Sequence, residues 1–140
     1  MSTFLQEQYI ELMLGEEHYA IRIQDIDEII RMKTITDIPG SLPHVKGVIN
    51  LRNKITPVIS LRTLFRLPDV EATKTTRIIV VRHQGESIGI IVDQVHKVST
   101  YSDIVPPPEQ VGGVSGARFS GIGLREGCLV GILNMTEVLG

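Results

Sequence analysis

The chain has 140 residues, of which 42% are hydrophobic and 21% are charged, and its formal net charge is −2 at pH 7. These values are typical of a soluble globular domain. The slight negative charge argues against nucleic acid or an anionic membrane as a partner, because both attract a basic face. No apolar run approaches the roughly 18 residues that would cross a bilayer, and no N-terminal signal peptide is recognisable, so we expect a cytoplasmic protein.

Short apolar runs between turn residues predict a mainly β protein. Thirteen glycines, seven prolines and few aromatic residues favour many short strands over long helices. We expect Ile26–Arg31 and Val95–Thr100 to continue as a helical turn that leads into a further strand. The predicted strands, in chain order, are Gln8–Leu14, His18–Arg22, Val45–Leu51, Ile55–Leu61, Arg77–Arg82, Ser87–Val92, Gly121–Arg125 and Cys128–Leu133.

The segment Val45–Phe65 predicts a hairpin followed by one helical turn. Two β-branched runs flank the polar trio Arg52-Asn53-Lys54, which is typical of a hairpin turn. Asn53 is the residue best suited to a left-handed backbone conformation there, because its short polar side chain tolerates positive φ. The apolar spacing then becomes helical over Leu61–Phe65. This scaffold displays Arg52 and Lys54 at its tip.

The chain also contains an internal repeat. Residues 19–23 align with residues 88–92, which lie 69 positions later, and residues 47–65 align with residues 121–139, which lie 74 positions later. Identities are few, and chance similarity between two β-rich segments is the alternative interpretation. The same order of elements occurs in both halves, however, and self-similarity at this scale is typical of a duplicated structure.

The repeat predicts two packed units of similar structure. It places Ile55 over Leu129 and Val58 over Ile132, so these residues should occupy equivalent strand positions. Each half has about 65 residues and five expected strands, and a unit of that size buries too little surface to be stable alone. The polar, proline-containing segment Leu67–Thr76 interrupts the apolar pattern and is the predicted boundary.

No pattern of residues indicates catalysis or a bound cofactor. The four histidines lie singly along the chain, without the paired spacing of a zinc site. Cys128 lies within an apolar run, which is typical of a buried side chain and not of a nucleophile. The sequence contains no phosphate-binding loop and no nucleophile elbow, although a triad assembled in space stays open. We therefore predict no enzyme activity, no metal and no cofactor.

A partner-binding surface is the alternative to catalysis. Glu28 interrupts an apolar strand, and Arg52 occupies the tip of the predicted hairpin. Arginine is a common interface anchor because its guanidinium offers several donors and a stacking face. The competing interpretation of Arg52 is an exposed corner residue without a role. The irregular segment Tyr101–Phe119 is either a functional loop or a solvated connector.

Several short motifs belong to a resemblance that covers about residues 8–139. They are G-x-x-N-L-R at Gly47–Arg52, Pro57-Val58-Ile59, Leu61-Arg62, E-x-Y-x-I at Glu17–Ile21, I-x-E-I at Ile26–Ile29 and G-I-I-V-D-x-V at Gly89–Val95. Together they resemble the CheW family of coupling proteins in bacterial chemotaxis. The resemblance implies one CheW-like domain over residues 1–140, made of two five-stranded SH3-like β-barrels packed together, with short helical turns and approximate subdomains at 8–67 and 77–140.

The resemblance also implies a function. A member of this family is a non-enzymatic adaptor, without cofactors, that joins the cytoplasmic tip of chemoreceptors to the regulatory domain of the histidine kinase CheA in membrane-associated receptor arrays. The receptor-binding residues would be Ile26, Glu28, Gly47 and Arg52. The kinase-binding residues would be Ile35 and Thr36 on the first barrel and Gln110 and Val111 on the second.

Three residues depart from the family pattern. Asn53 stands where the family usually has glycine, and Ser60 and Asn134 each stand where an aspartate is common. Asparagine keeps a left-handed turn at modest cost, and a helix cap persists without its charge. These departures leave open whether the chain is the main chemotaxis adaptor or a paralogue that serves twitching motility or another receptor–kinase pathway.

A detached regulatory domain of a CheA-type kinase and a double-barrel nucleic-acid-binding module are further alternatives, although the latter needs a basic, aromatic surface.

Overall fold

Short β-branched segments form thirteen strands and two short helices in residues 7–111 and 113–139, which are the residues that the computed structural model describes. The helices are α1 (Leu61–Leu64) and α2 (Met135–Leu139). The strands are β1 (Tyr9–Leu14), β2 (Glu17–Arg22), β3 (Ile26–Arg31), β4 (Val45–Leu51), β5 (Lys54–Ser60), β6 (Arg77–His83), β7 (Glu86–Val92), β8 (Gln94–Ser99), β9 (Asp103–Val105), β10 (Gln110–Val111), β11 (Val114–Ser115), β12 (Phe119–Arg125) and β13 (Cys128–Leu133).

The strands form two large sheets and one small hairpin. The five-stranded sheet has the order β3-β6-β7-β5-β4, and the six-stranded sheet has the order β8-β1-β2-β13-β12-β9. Strands β10 and β11 pair only with each other within the described residues. The predicted fold class, mainly β with two packed units and short helical turns, is confirmed. One unit has a sixth strand because the short β9 adds to the edge at β12.

The two units do not divide the chain at the predicted boundary. Strands β1 and β2 come from the first half, yet they pair with β8 and β13 of the second half. Strands β3 and β5 pair in turn with β6 and β7. Subdomains at 8–67 and 77–140 are therefore wrong as barrel boundaries, because each half gives its first hairpin to the other unit. A sequence repeat identifies equivalent residues in the two halves. It does not show whether a strand pairs with its neighbour from the same half or with the equivalent strand of the other half.

The repeat itself is confirmed by the register of the strands. In the five-stranded sheet, Val58 lies beside Gly89 on a parallel neighbour. In the six-stranded sheet, Ile132 lies beside Ala20 in the same way. Ile55 pairs with Asn50, and Leu129 pairs with Leu124, 74 residues further along. The predicted pairs therefore occupy equivalent strand positions.

The segment after β3 closes the five-stranded sheet into a barrel. Thr36 forms two backbone hydrogen bonds of 2.9 Å with Val48 of β4, at the opposite edge of the sheet. In the other sheet, Val105 of β9 pairs with Ile122 of β12 at the equivalent positions. Each edge strand is therefore followed by a segment that returns to the far edge.

Two segments for which the sequence predicts a helical turn are strands instead. Ile26–Arg31 is β3 and Gln94–Ser99 is β8, while the only turn of 3₁₀ helix near β3 in the described residues lies before it, at Ile23–Asp25. Both strands lie beside a single neighbour in their sheets. Edge strands carry charged residues on their solvent side, which hides the alternation that identifies a strand.

The core has one large cluster between the sheets and a small cluster inside each unit. Consecutive residues of β6 contribute to both, because side chains alternate between the faces of a strand. Ile79 and Val81 are buried in the large cluster, and Ile78 and Val80 are buried in the small cluster of the five-stranded unit. The continuous apolar run of β6 therefore follows from burial on both faces.

Hydrogen bonds to Asp93 link the two units beside α1. Arg62 donates to both carboxylate oxygens of Asp93, with Nε–Oδ1 at 2.8 Å and Nη2–Oδ2 at 2.6 Å. The backbone N–H of Gly15 in the β1–β2 turn also donates to Asp93. The hydrogen bonds from Arg62 are the main cause of a lowered Asp93 pKa. The Leu61-Arg62 motif thus connects α1 to the hairpins of both halves.

Candidate docking surfaces

The hairpin between β4 and β5 ends in a two-residue turn with left-handed backbone at both positions. Arg52 has φ of +52° and Asn53 has φ of +66°, which is the conformation of a type I′ turn. The prediction for Asn53 is confirmed, but Arg52 adopts the same conformation, which the sequence did not indicate. Such turns favour asparagine or glycine. Gln84 and Glu126 have the same conformation at the corresponding position of the β6–β7 and β12–β13 turns, so the backbone of Arg52 follows from the type of turn.

Arg52 forms an ion pair with Glu28 on the facing strand. Its Nη2 lies 2.5 Å from Oε2 of Glu28, and the Arg52 side chain is 74% exposed whereas that of Glu28 is 23% exposed. Surface ion pairs of this kind contribute about 0–1 kcal/mol to stability. The pair therefore fixes the position of the guanidinium more than it stabilises the fold, and it leaves an anchored cation facing solvent.

Further charges surround this pair. Asp27 Oδ1 lies 3.0 Å from Nη2 of Arg82, and both residues line a cavity of about 430 Å³ together with Glu28, Arg52 and Lys54. Val80 of the small core also lines this cavity. We call this region the hairpin surface. Its alternating charges suit a polar helix face that makes specific ion pairs.

Ile26 does not share the face of Glu28. A bulge between them shifts the register of β3, so that Ile26 pairs with Val81 and Glu28 pairs with Val80. Because Val80 and Val81 point to opposite faces of β6, Ile26 packs against the large core whereas Glu28 lies toward the small core. The structure therefore brings Glu28 to Arg52 but turns Ile26 away from them.

Gly47 lies beside the residues proposed for kinase binding. Its φ is +144°, and a Cβ there would lie 2.1 Å from the carbonyl oxygen of Thr36. Only glycine fits so close an approach of backbone to backbone. Gly47 therefore lets Ile35 and Thr36 dock on β4, and it shapes the surface without contacting Arg52.

An outward apolar strip surrounds Thr36. Thr36 is exposed and Ile35 is half-buried against the small core. Thr36 pairs with Val48 and Val48 pairs with Pro57, so these residues share the outer face. Ile55 is on the same face and is 70% exposed. We call Thr36, Val48, Ile55 and Pro57 the first strip. The sequence showed no role for Ile55.

The second unit has an equivalent strip. Val105 pairs with Ile122 at the positions of Thr36 and Val48, and Leu129, the equivalent of Ile55, is 65% exposed. We call Val105, Ile122 and Leu129 the second strip. Together with Val111 they line a cavity of about 480 Å³. Of the residues proposed for the second kinase contact, Val111 thus reaches this strip, while Gln110 is an exposed residue of the separate β10–β11 hairpin.

A buried carboxylate lies in the six-stranded sheet. Glu11 is fully buried and accepts hydrogen bonds from Arg125 at 2.8 and 2.5 Å and from the Tyr101 hydroxyl at 2.9 Å. His18 Nδ1 lies 3.2 Å from the second oxygen. Burial alone would raise the pKa of Glu11, but these hydrogen bonds outweigh it and lower the pKa to about 2. Sequence reasoning missed the cluster because its members lie far apart; an acid within an apolar strand was the only signal.

The cluster has a structural and not a catalytic geometry. Every oxygen of Glu11 is occupied by partners on neighbouring segments, so the carboxylate ties β1 to β2 and β12. In residues 7–111 and 113–139 there is no group of three or more His, Cys, Asp or Glu placed to hold a metal ion. No helix in those ranges is long and apolar enough to cross a membrane.

The fold and these surfaces define a class of protein: a duplicated β module that presents one charged hairpin and two apolar strips on the outside of its joined units. Comparison with known proteins gives the family. The model of the CheW-like domain matches residues 8–140. The chain belongs to the CheW-like family, as its motifs predict.

Individual relatives support this assignment over most of their length. Chemotaxis protein CheW of Bacillus subtilis is 36% identical over 135 residues, which are 95% of this chain and 86% of that protein. Chemotaxis protein CheW of Helicobacter pylori is 37% identical over 134 residues, which are 94% of this chain and 81% of that protein. The crystal structure of the scaffolding protein TtCheW from Thermoanaerobacter tengcongensis has a TM-score of 0.89 at 32% identity and covers 99% of this chain and 90% of that chain.

Proposed function

We propose that this chain is a non-enzymatic adaptor of bacterial chemotaxis, which couples the cytoplasmic tips of chemoreceptors to a CheA-type histidine kinase. Membership of the CheW-like family supports the adaptor role. Relatives that cover most of the chain are named chemotaxis proteins, and the similar solved structure is that of a scaffolding protein. The adaptor acts in the cytoplasm and is recruited to membrane-associated receptor arrays.

The observation that carries the receptor assignment is the Glu28–Arg52 pair. A receptor tip of helical hairpin form presents charged side chains at fixed spacing, and an anchored guanidinium with a neighbouring carboxylate recognises such a face by register. Most of the Arg52 side chain faces solvent, so it reaches a partner without refolding of the hairpin. Gly47 and Ile26 act indirectly in this proposal: Gly47 shapes β4, and Ile26 fixes β3 on the core.

The kinase assignment rests on the apolar strips. Ile35 and Thr36 belong to the segment that closes the first barrel, and Ile55 adds an exposed apolar side chain to the same face. Exposed apolar patches on a small domain mark sites of protein contact. Val111 lines the same cavity as the second strip, where Leu129 is the exposed counterpart of Ile55, and Gln110 precedes it in β10. Two equivalent strips give the adaptor two kinase contacts, one on each barrel.

Arg52→Ala tests the receptor assignment. Truncation of an interface anchor typically costs about 2 kcal/mol or more of binding free energy, so the affinity for a receptor cytoplasmic fragment from the same genome should fall at least tenfold. The melting temperature should change little, because an exposed ion pair contributes about 0–1 kcal/mol. Glu28→Lys should weaken receptor binding as well, with binding of the kinase regulatory domain retained.

Arg66→Ala is the matched control. Arg66 is also exposed, and its backbone is left-handed with φ of +62°. It follows α1, however, and does not line the hairpin surface. The Arg66→Ala variant should bind the receptor fragment with the affinity of the unchanged protein. Normal receptor binding by both Arg52→Ala and Glu28→Lys, in calorimetric titrations at physiological salt, would contradict the proposal.

A further inference from the structure

The chain covers a groove beside α1 with its own connector. Residues 67–76 cross this α1 groove, where Arg62 Nη1 donates to the Pro68 carbonyl oxygen at 2.9 Å and Lys46 Nζ pairs with the Asp69 carboxylate. A cavity of about 170 Å³ remains beneath the connector. The groove thus holds an extended segment through one backbone carbonyl and one carboxylate.

The repeat places an equivalent groove beside α2. Its cavity is about 350 Å³, roughly twice the volume of the space left under the connector. Four residues that line the α2 groove are repeat equivalents of residues that line the α1 groove, at the offsets of 74 and 69 that define the internal repeat. They are Ser120, Asn134, Thr136 and Arg22, which correspond to Lys46, Ser60, Arg62 and Ile91. The two walls therefore share one backbone framework.

The α2 groove carries its cations at different positions. Ser120 and Thr136 are uncharged where the α1 groove has Lys46 and Arg62, while Arg22 and Arg82 line the α2 groove from β2 and β6. Their side chains are 43% and 68% exposed, and their ion pairs lie at the surface. Arg22 donates to both oxygens of Asp25 at 3.2 Å and lies 4.0 Å from Glu7, and Arg82 lies 3.0 Å from Asp27. Such pairs exchange partners at little cost, so both guanidinium groups are able to take a new carboxylate.

We propose that the α2 groove binds an extended acidic segment of a partner protein, in the manner in which the connector covers the α1 groove. Carboxylates of the segment pair with Arg22 and Arg82, and its backbone carbonyls accept from hydroxyl and amide donors at Thr136 and Asn134. None of the proposed receptor or kinase residues lines the groove. Arg82 also lines the hairpin surface, so the two surfaces adjoin and one partner is able to reach both.

The connector itself supplies the probe. A labelled peptide with the sequence of residues 67–76 should bind the full chain saturably in fluorescence anisotropy, with NMR shift changes concentrated at Arg22, Ser120 and Thr136. A peptide in which Asp69 and Glu71 are replaced by Asn and Gln should bind at least tenfold more weakly. Arg22→Glu and Thr136→Glu should each reduce the affinity at least tenfold. Lys97→Glu, an exposed change on β8 outside the groove, should not.

Four outcomes of the binding experiments would overturn the proposal. They are absence of saturable binding, equal binding of the acidic and neutral peptides, normal binding by both groove variants, and shift changes that map to the α1 groove. If Arg22→Glu fails to fold, Thr136→Glu still tests the groove. Thr136 is exposed and its side chain makes no hydrogen bond within the described residues, so this change should leave the fold intact. If sedimentation velocity instead shows a dimer that both variants dissociate, a second copy of the chain occupies the groove and the partner assignment is wrong.

Discussion

Replacing the buried Glu11 by glutamine should cost about 3 kcal/mol of unfolding free energy at pH 7. The carboxylate is fully buried and receives charge-assisted hydrogen bonds from Arg125. Those bonds, with others from Tyr101 and His18, outweigh the cost of burial and lower the Glu11 pKa from 4.5 to about 2. Each unit of pKa corresponds to 1.36 kcal/mol, so the shift is equivalent to about 3 kcal/mol. This matches the lower end of the range for breaking a buried ion pair, because Arg125 is 20% exposed and reaches water.

The loss should depend on pH in a defined direction. The pKa of Glu11 is lower in the folded state, so its stabilisation is fully present above the unfolded value of 4.5 and disappears as the pH falls toward 2. The difference in unfolding free energy between the unchanged protein and Glu11→Gln should therefore be constant from pH 7 to about pH 5 and then shrink. Urea denaturation followed by circular dichroism at several pH values measures this difference.

Glu86→Gln provides the control, since Glu86 is an exposed residue of β7. It should leave the unfolding free energy within about 0.5 kcal/mol of the unchanged protein at every pH. A loss below about 1 kcal/mol for Glu11→Gln at pH 7, or a loss that stays constant down to pH 2.5, would refute the assignment of a buried, charged carboxylate.

Two further predictions concern the docking surfaces. Gly47→Ala should lower the unfolding free energy by about 3 kcal/mol, because its Cβ would overlap the Thr36 carbonyl at a left-handed backbone position; unchanged stability in urea would contradict the close approach. Ile55→Asp and Leu129→Asp should each weaken binding of the kinase regulatory domain at least tenfold, while the melting temperature shifts by only about 2 °C. Titration calorimetry measures the binding, and full affinity in both variants would refute the strips as kinase contacts.

Local features of this fold could be predicted from the sequence. The β4–β5 hairpin, the helical turn after it and the connector at 67–76 each depend on neighbouring residues, whose turn chemistry and spacing are visible in the chain. The repeat also gave the correct equivalence of Val58 with Ile132. The exchange of hairpins could not be predicted in the same way, because equivalent residues in a repeat fit either copy of the partner strand.

The candidate site was predictable where charge stands out from an apolar pattern. Glu28 and Arg52 were visible for that reason, and the structure brings them into contact. The family resemblance grouped Ile26 with Glu28. Residues two apart in a strand normally share a face, but the bulge in β3 turns Ile26 to the other one. Gly47 illustrates another limit: the sequence shows that a glycine is present, but only the approach of Thr36 shows why.

The exchange of hairpins explains how two docking faces stay in a fixed relation. In a chain of two independent barrels, one connector would join them and their relative orientation would vary. Here each sheet contains strands from both halves, so neither barrel is complete without the other. The large core lies between the sheets, and the Arg62–Asp93 pair joins α1 to the β1–β2 turn through Gly15. A change in the angle between the two strips would therefore require hydrogen bonds between paired strands to break, whereas in two linked barrels it would require only a bend of the linker. This rigidity suits an adaptor, because it keeps the relative position of the two strips fixed.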